Sequence, residues 1–321
     1  MPSAWMDAIW QCFRIPAPTF TDAQLQSQAG RVFIVTGGYA GCGKELTKML
    51  YSKHGTIYIA GRSQDKADAA IKEIKALYPS SDGRLEFLFL DLADLPTIKK
   101  SADTFLAKEQ RLDVLTNNAG VMTPPKGSKT AQSYELQLGT NVLGPYLFTS
   151  FLTPLLQKTA ASSPAGSVRV TWAASLATMF SPKGGIAWDE SGSPKLHGTP
   201  TVDYAQTKAS NALLAMAYAS RYSKDGIVTN AWNPGNLQSE LQRHQSGIEK
   251  VVTKLLIYPT VFGGYTELFA GWSDEAGKPE NAGKYIGPWG RFVILREDIK
   301  TNKDGATKLW EWCEKETATY K

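Results

Sequence analysis

Residues 31–43 read RVFIVTGGYAGCG, an apolar run that ends in a glycine-rich turn. A short apolar run closed by glycines fits a strand of a parallel sheet, buried on both faces. Gly37, Gly41 and Gly43 allow a tight turn and let backbone amides approach a pyrophosphate. The next segment, KELTKMLYSKHG (44–55), puts Leu46, Met49 and Leu50 on one helical face, with His54-Gly55 as its stop. Strand, glycine turn and helix in that order fit the first unit of a phosphate-binding α/β fold, for a dinucleotide or a triphosphate.

The same alternation continues outward. TIYIAG (56–61) reads as a strand and KADAAIKEIKALYP (66–79) as a helix ended by Pro79. LEFLFLDL (85–92) is strand-like, and LPTIKKSADTFLAKEQ (95–110) is helical, with Asp94 placed to cap it and Pro96 in its first turn. LDVLTNNAG (112–120) is a strand and turn, and SYELQLGTNVLGPYLFTSFLTPLLQ (133–157) one long, largely apolar helix. SVRVTWAAS (167–175), DYAQTKASNALLAMAYASRY (203–222) and IVTNAWNPG (227–235) give strand, helix and strand. The expected fold class is α/β, a doubly wound parallel sheet of Rossmann type, because right-handed crossovers cover both faces with helices. With no linker-like stretch, the expected organisation is an N-terminal extension over 1–30 and a single oxidoreductase domain over 31–321. A C-terminal substrate-loop excursion is expected at roughly 236–275.

Composition narrows the function classes. The chain has 321 residues, 42% hydrophobic and 20% charged, enough to bury a core without disulfides or metals. Its 35 basic and 30 acidic residues are interspersed, with no Lys/Arg block to track a nucleic acid. Three scattered cysteines, Cys12, Cys42 and Cys313, suit a reducing, cytoplasmic compartment and form no zinc pattern. No metal is expected from three histidines without ligand spacing. The N-terminus lacks a signal pattern, and no uninterrupted apolar run of about 18 residues predicts a membrane span. Trp5, Ile9, Trp10 and Phe13 share one face of a short helix, which either docks on the protein's own body or touches a membrane surface peripherally.

Two ligands compete for the glycine loop. Gly38 to Lys44 fits GxxxxGK, a triphosphate loop, but Glu45 stands where that motif needs a hydroxyl for Mg²⁺. The second strand ends in IAGRS, with Gly61 where an acid would bond a ribose 2′-hydroxyl, then Arg62 and Ser63. An arginine and a hydroxyl without an acid suit the 2′-phosphate of NADP(H). Further on, Tyr204 is the only one of 13 tyrosines with a lysine four residues later, Lys208. One helical turn puts both on the same face, where an ammonium is expected to lower a phenol pKa from its free value of about 10.

TGxxxGxG at 36–43, NNAG at 117–120 and YxxxK at 204–208 follow the order seen in the short-chain dehydrogenase/reductases, which this chain resembles over about 31–239. The N-terminal extension, AGRS, the long insert between Ser175 and Tyr204, and NPGNLQSEL look like the retinol-dehydrogenase-like branch, especially its fungal members. The resemblance implies a catalytic set of Asn141, Ser175, Tyr204 and Lys208. Asn141 would help hold a water, Ser175 would bond the substrate oxygen, and Tyr204 would exchange its proton. The family often has two serines at 174–175, whereas this chain has Ala174-Ser175. The implied cofactor set is Thr36, Gly37, Gly41, Cys42, Gly43, Arg62, Ser63, Asp91, Leu92, Asn118, Ala119, Gly120, Pro234, Gly235, Leu237 and Ser239, with Tyr204 and Lys208. Asn117 is expected to tie neighbouring strands, and Cys42 to pack as a small side chain. Asp91 either bonds the adenine amino group or caps a helix.

The expected activity is NADPH-dependent reduction of a lipophilic ketone or aldehyde, or the reverse. The apolar segment VVTKLLIYPTVFGGYTELFAGW (251–272) suggests a lipophilic substrate or a membrane-facing rim, against plain packing onto the sheet. Two other functions fit the same fold: a cofactor-gated sensor, and a cyclase or epimerase. The resemblance also implies pairing into a homodimer through the helices that carry Asn141 and Tyr204.

Overall fold

The computed structural model describes residues 6, 10–12, 15–237 and 257–321. Strands β1 (Val32–Thr36), β2 (Thr56–Gly61), β3 (Arg84–Phe89), β4 (Val114–Asn117), β5 (Val168–Ala173) and β6 (Ile227–Trp232) lie close to their sequence-based positions. Helices α1 (Gly41–Ser52), α2 (Gln64–Leu77), α3 (Leu95–Leu106), α4 (Gly144–Ala160) and α5 (Pro200–Tyr222) alternate with them. The sheet order is β3-β2-β1-β4-β5-β6-β7-β8, where β7 (Tyr285–Gly287) continues the parallel set and β8 (Arg291–Phe292) closes it antiparallel. This is a doubly wound Rossmann-type sheet. The order reverses between β1 and β4, so a ligand crevice opens beyond the carboxyl ends of those strands.

Several local expectations change in the structure. The long helix is not continuous: a π turn, Gly139–Leu143, precedes α4 and contains Asn141. Gly144 N donates to Gly139 O, five residues back. Pro145 has no N–H to offer the Asn141 carbonyl, so the ladder is already broken where the wide turn sits. Asp94 occupies the N-cap of α3 but makes no side-chain cap bond. Gln132 does that work instead: its Oε1 accepts from Leu95 N at 3.0 Å while its Nε2 donates to Asp94 Oδ1 at 2.9 Å. After α1, the left-handed residue is His54 (φ 70°), with Gly55 N closing back onto Leu50 O.

Two helices complete the layers. α6 (Thr260–Trp272) packs on α1 and the sheet, so the described part of the 251–272 segment is core on one face. Residues 251–256 of that segment lie outside the described residues. α7 (Lys303–Thr317) lies across α4 and α5, burying Leu309, Trp310 and Cys313. The Trp310 ring sits 4.8 Å from that of Tyr146 on α4 and 6.1 Å from that of Tyr218 on α5. α7 of the same chain covers part of α4 and most of the outer face of α5, while Pro154 and Lys158 of α4 stay exposed. The extension docks on the body, with Gln11 Oε1 accepting from Asn233 Nδ2 at 2.9 Å and Pro16 O from Arg291 Nη2 at 2.8 Å. Trp5, Ile9 and Phe13 lie outside the described residues, and Trp10 is 57% exposed. No helix among the described residues is long and apolar enough to cross a membrane.

Candidate active site

The glycine loop is shaped from below. Gly37 (φ 70°) and Gly41 (φ 54°) take left-handed backbone that side chains resist. A Cβ on Gly43 would stand 2.5 Å from Asn118 Nδ2 and 2.9 Å from Gly37 O, so only glycine lets α1 begin this close to the β4 turn. Thr36 Oγ1 locks the same corner, accepting from the Asn118 and Ala119 amides, each at 2.9 Å, while Asn118 Nδ2 donates to Thr36 O at 2.8 Å. The Ala40 N-cap of α1 makes no side-chain bond and its first turn holds no acid. First-turn amides have no intrahelical acceptor and sit at the positive end of the helix dipole, so the corner fits an anionic pyrophosphate. Lys44 turns away to Glu73 at 2.5 Å, which removes the lysine a triphosphate loop would need.

The adenosine end has its own logic. A Cβ on Gly61 would run into the Tyr39 ring, so an acid there would displace that ring. Arg62 is exposed and makes no ion pair among the described residues. Ser63 Oγ caps α2, accepting from Lys66 N at 3.3 Å. Asp91 Oδ1 accepts from Ala93 N at 2.9 Å and so shapes the turn after β3. Leu92 is buried against Gly144, fastening that turn to the start of α4. Asn117 reaches α4, through Thr149 Oγ1 at 3.0 Å, and does not tie strand to strand.

The proton-handling residues converge at the ends of β4 and β5. The Tyr204 hydroxyl faces the Ser175 side chain, whose hydroxyl favours the phenolate. Lys208 Nζ lies 5.6 Å from the Tyr204 ring centroid and donates to Ala173 O at 3.0 Å. Asn211 Nδ2, one turn beyond Lys208, donates to the same carbonyl at 2.8 Å. Asn141 exchanges two bonds with the Val121 backbone, at 2.8 and 2.9 Å, and donates to Thr207 Oγ1 at 3.1 Å. A Cβ on Gly120 would stand 2.9 Å from Asn141 Oδ1 and 3.4 Å from Lys208 Nζ, so these groups meet around that glycine.

Electrostatics in this pocket departs from the expectation drawn from YxxxK. Burial raises the Tyr204 pKa to about 12, and the Ser175 hydroxyl opposes it only in part. Burial also lowers Lys208 to about 8. Desolvation wins over the lysine charge because the ammonium is directed to the Ala173 carbonyl rather than to the phenol oxygen. Cys42 is pushed well up, first by burial and then by the Glu267 carboxyl, so it is a packed thiol and not a nucleophile.

A family model described as short chain dehydrogenase matches residues 31–168. A short-chain dehydrogenase/reductase of Phomopsis amygdali is 45% identical over 332 residues, covering 100% of this chain and 98% of the relative. The short-chain dehydrogenase/reductase pkfC of Emericella nidulans is 42% identical over 305 residues, covering 94% and 97%. The chain belongs to the short-chain dehydrogenase/reductase family. Its fold also matches a crystal structure of a putative uncharacterized protein from Mycobacterium Paratuberculosis, with a TM-score of 0.69, 25% identity, and coverage of 93% and 97%. It matches NADPH-bound carbonyl reductase from chicken fatty liver with a TM-score of 0.61, 17% identity, and coverage of 85% and 97%. Family membership makes the chain an oxidoreductase that works with a nicotinamide cofactor on a small molecule.

Other members of this short-chain dehydrogenase/reductase site escape sequence reading. Tyr285 Oη donates to Ser175 O at 2.8 Å, fixing the backbone of the serine from β7. Arg296 donates to Met179 O (3.0 Å), Ser181 O (2.9 Å) and Pro182 O (2.6 Å), clamping the insert that follows Ser175. Asp298 pairs with Arg296, which holds its carboxyl near 2, and accepts from Gly184 N at 2.6 Å. Neither β7, three residues long, nor the Arg296 loop carries any periodicity. Asn211 had a usable signal, since it lies three residues after Lys208 on the same face. Pro234, Gly235 and Leu237 follow β6, with Gly235 (φ 85°) closed over by the Trp289 ring and Leu237 bridged to Tyr258. Ser239 lies outside the described residues. Among the described residues, two cavities of about 530 and 320 Å³ border this region without reaching Tyr204 or Lys208: Tyr285 lines the larger, and Leu196 and Asp203 the smaller.

Proposed function

We propose that the protein uses NADPH to reduce a lipophilic ketone or aldehyde to its alcohol, with Tyr204 giving the proton. The observation that carries this reading is the Tyr204–Ser175–Lys208 arrangement, in which a half-buried phenol stays protonated well above neutrality. The bound cofactor supplies the hydride. Ser175 Oγ accepts from Ala177 N at 3.1 Å, and its proton can turn from Tyr204 to a substrate oxygen bound beside it. Lys208 brings a cation to the base of the phenol, where it favours the phenolate left after proton transfer and can hold the nicotinamide ribose. Asn141 acts as a positioning residue, because its amide pins the Val121 backbone next to Gly120.

Arg62 and the blocked Gly61 support NADP(H) over NAD(H). A lipophilic substrate is supported by Phe180 and Leu196, exposed at 64% and 50% on the insert between Ser175 and Tyr204. The same insert underlies the retinol-dehydrogenase-like reading. Exposed Trp10 supports a peripheral membrane contact. Pairing into a homodimer through α4 and α5 would use the part of α4 around Pro154 and Lys158 that α7 leaves exposed.

The test is loss of NADPH absorbance with a panel of lipophilic ketones and aldehydes, repeated with NADH. Tyr204→Phe should lower kcat about 10³-fold, within the range of general acid catalysis, while NADPH still binds. Retention of most turnover by Tyr204→Phe at saturating cofactor would sink the assignment. Binding of NADPH with no turnover on any carbonyl would favour a sensor instead.

A further inference from the structure

The face of α6 that packs inward has a polar centre. Gly263 on that face would place a Cβ 2.6 Å from the Cys42 sulfur, and Gly271 would place one 3.3 Å from Val114 Cγ1. Glu267 stands one turn from each on the same face, so its side chain lies between the first turn of α1 and β4. Thr116 follows Val114 by two residues and shares its side of the sheet. Thr116 is in register with Thr171 of β5. Glu267, Thr116 and Thr171 are all 0% exposed. Both Glu267 carboxyl oxygens and both threonine hydroxyls lack any hydrogen-bond partner. Buried polar atoms are nearly always satisfied, and where protein groups do not do so, internal water does.

We propose that Glu267, Thr116 and Thr171 bind internal water between α6 and the sheet, and that this hydrated contact sets the position of the glycine loop that receives the cofactor pyrophosphate. Glu267 is then a positioning residue that acts through Cys42 and the first turn of α1. The proposal rests on the dinucleotide reading of that loop. Burial pushes the Glu267 carboxyl well above the usual range, which favours the neutral form, one that can donate as well as accept. The titratable groups around it are Cys42 and Glu45 on α1, Arg169 on β5, and Asp274 and Glu275 just after α6. β4 and β6 contribute none, and Tyr285 of β7 packs on the opposite side of the sheet. Glu45 is held by Lys48 at 3.1 Å, and Arg169 donates to Gly166 O and Ala270 O, so neither neutralises Glu267. A carboxylate at this position would repel a pyrophosphate on the loop. Cofactor affinity should therefore fall as pH rises through the raised pKa.

ADP is the probe, because it carries the pyrophosphate but not the nicotinamide ribose that Lys208 would hold. Calorimetric ADP and NADPH titrations over a series of rising pH should show the wild type weakening as the Glu267 carboxyl ionises. E267Q keeps the polar contact and should bind ADP close to wild type with a flat profile. E267M fills the space with apolar atoms and should weaken ADP about tenfold, the loss of roughly one hydrogen-bonded contact. C42A should keep the decline with rising pH, which separates Glu267 from the thiol. A high-resolution crystal structure should show water bridging the carboxyl and the two threonines. If E267M binds ADP like the wild type, or that contact is dry, the proposal is overturned alone. If the wild type binds neither ADP nor NADPH, the dinucleotide reading falls and takes this one with it.

Discussion

The Asn141–Lys208 cluster and the glycine loop stand at the same end of the sheet, yet they satisfy their polar groups in opposite ways. Asn141 spends both ends of its amide inside the chain, on Val121 and Thr207, and Lys208 is held on the Ala173 carbonyl. Around the loop, the first turn of α1 is uncapped and Arg62 has no ion pair among the described residues. Groups that must be in place before the reaction are fixed by the protein itself, since preorganisation is what makes them effective. Groups that read a cofactor are left for the cofactor to satisfy.

The first way to break that contrast is at the fixed cluster. Gly120→Ala puts a methyl against an Asn141 amide that three hydrogen bonds prevent from moving. Carbonyl turnover at saturating NADPH should drop about 10²-fold, the cost of displacing a reacting group by an ångström or so. A near-normal kcat would mean the cluster is softer than its bonding suggests. The second change works on the open side. Arg62→Ala should raise the NADPH Kd about tenfold, the loss of a charge-assisted bond, and leave the NADH Kd unchanged. An equal effect on both cofactors would remove the 2′-phosphate role.

The smallest effect sharpens the electrostatics. Lys208 is cationic below its pKa of about 8 and neutral above it. kcat/KM for NADPH, which reports the free enzyme, should halve near pH 8 and keep falling. Tyr204, at about 12, adds no limb below that. A first limb above pH 10 would show that Lys208 is not desolvated as its burial requires.

The sequence carried what depends on neighbours along the chain. The glycines of 37–43, the strand–helix alternation and Tyr204–Lys208 are local patterns, and the fold delivers each where the pattern implied. What depends on distant contacts was hidden. The lysine at 208 looked set to lower the phenol pKa, and only the three-dimensional path to Ala173 O shows why burial prevails. Tyr285 and Arg296 reach Ser175 and its insert from more than a hundred residues away. The π turn at Asn141 was half-visible, since Gly144-Pro145 breaks the helix ladder without saying which residue widens. Glu267 reads as an ordinary helix residue until its carboxyl is found without a partner.

α7 also decides how the protein behaves as a reagent. By laying Leu309, Trp310 and Cys313 on α4 and α5, one chain supplies to itself the cover that a second subunit would otherwise bring to the catalytic helix. The expected outcome is a self-contained catalyst: turnover per chain should stay constant as the enzyme is diluted from micromolar to nanomolar in an activity assay. A specific activity that decays on dilution and returns on concentration would show that the helix is not enough.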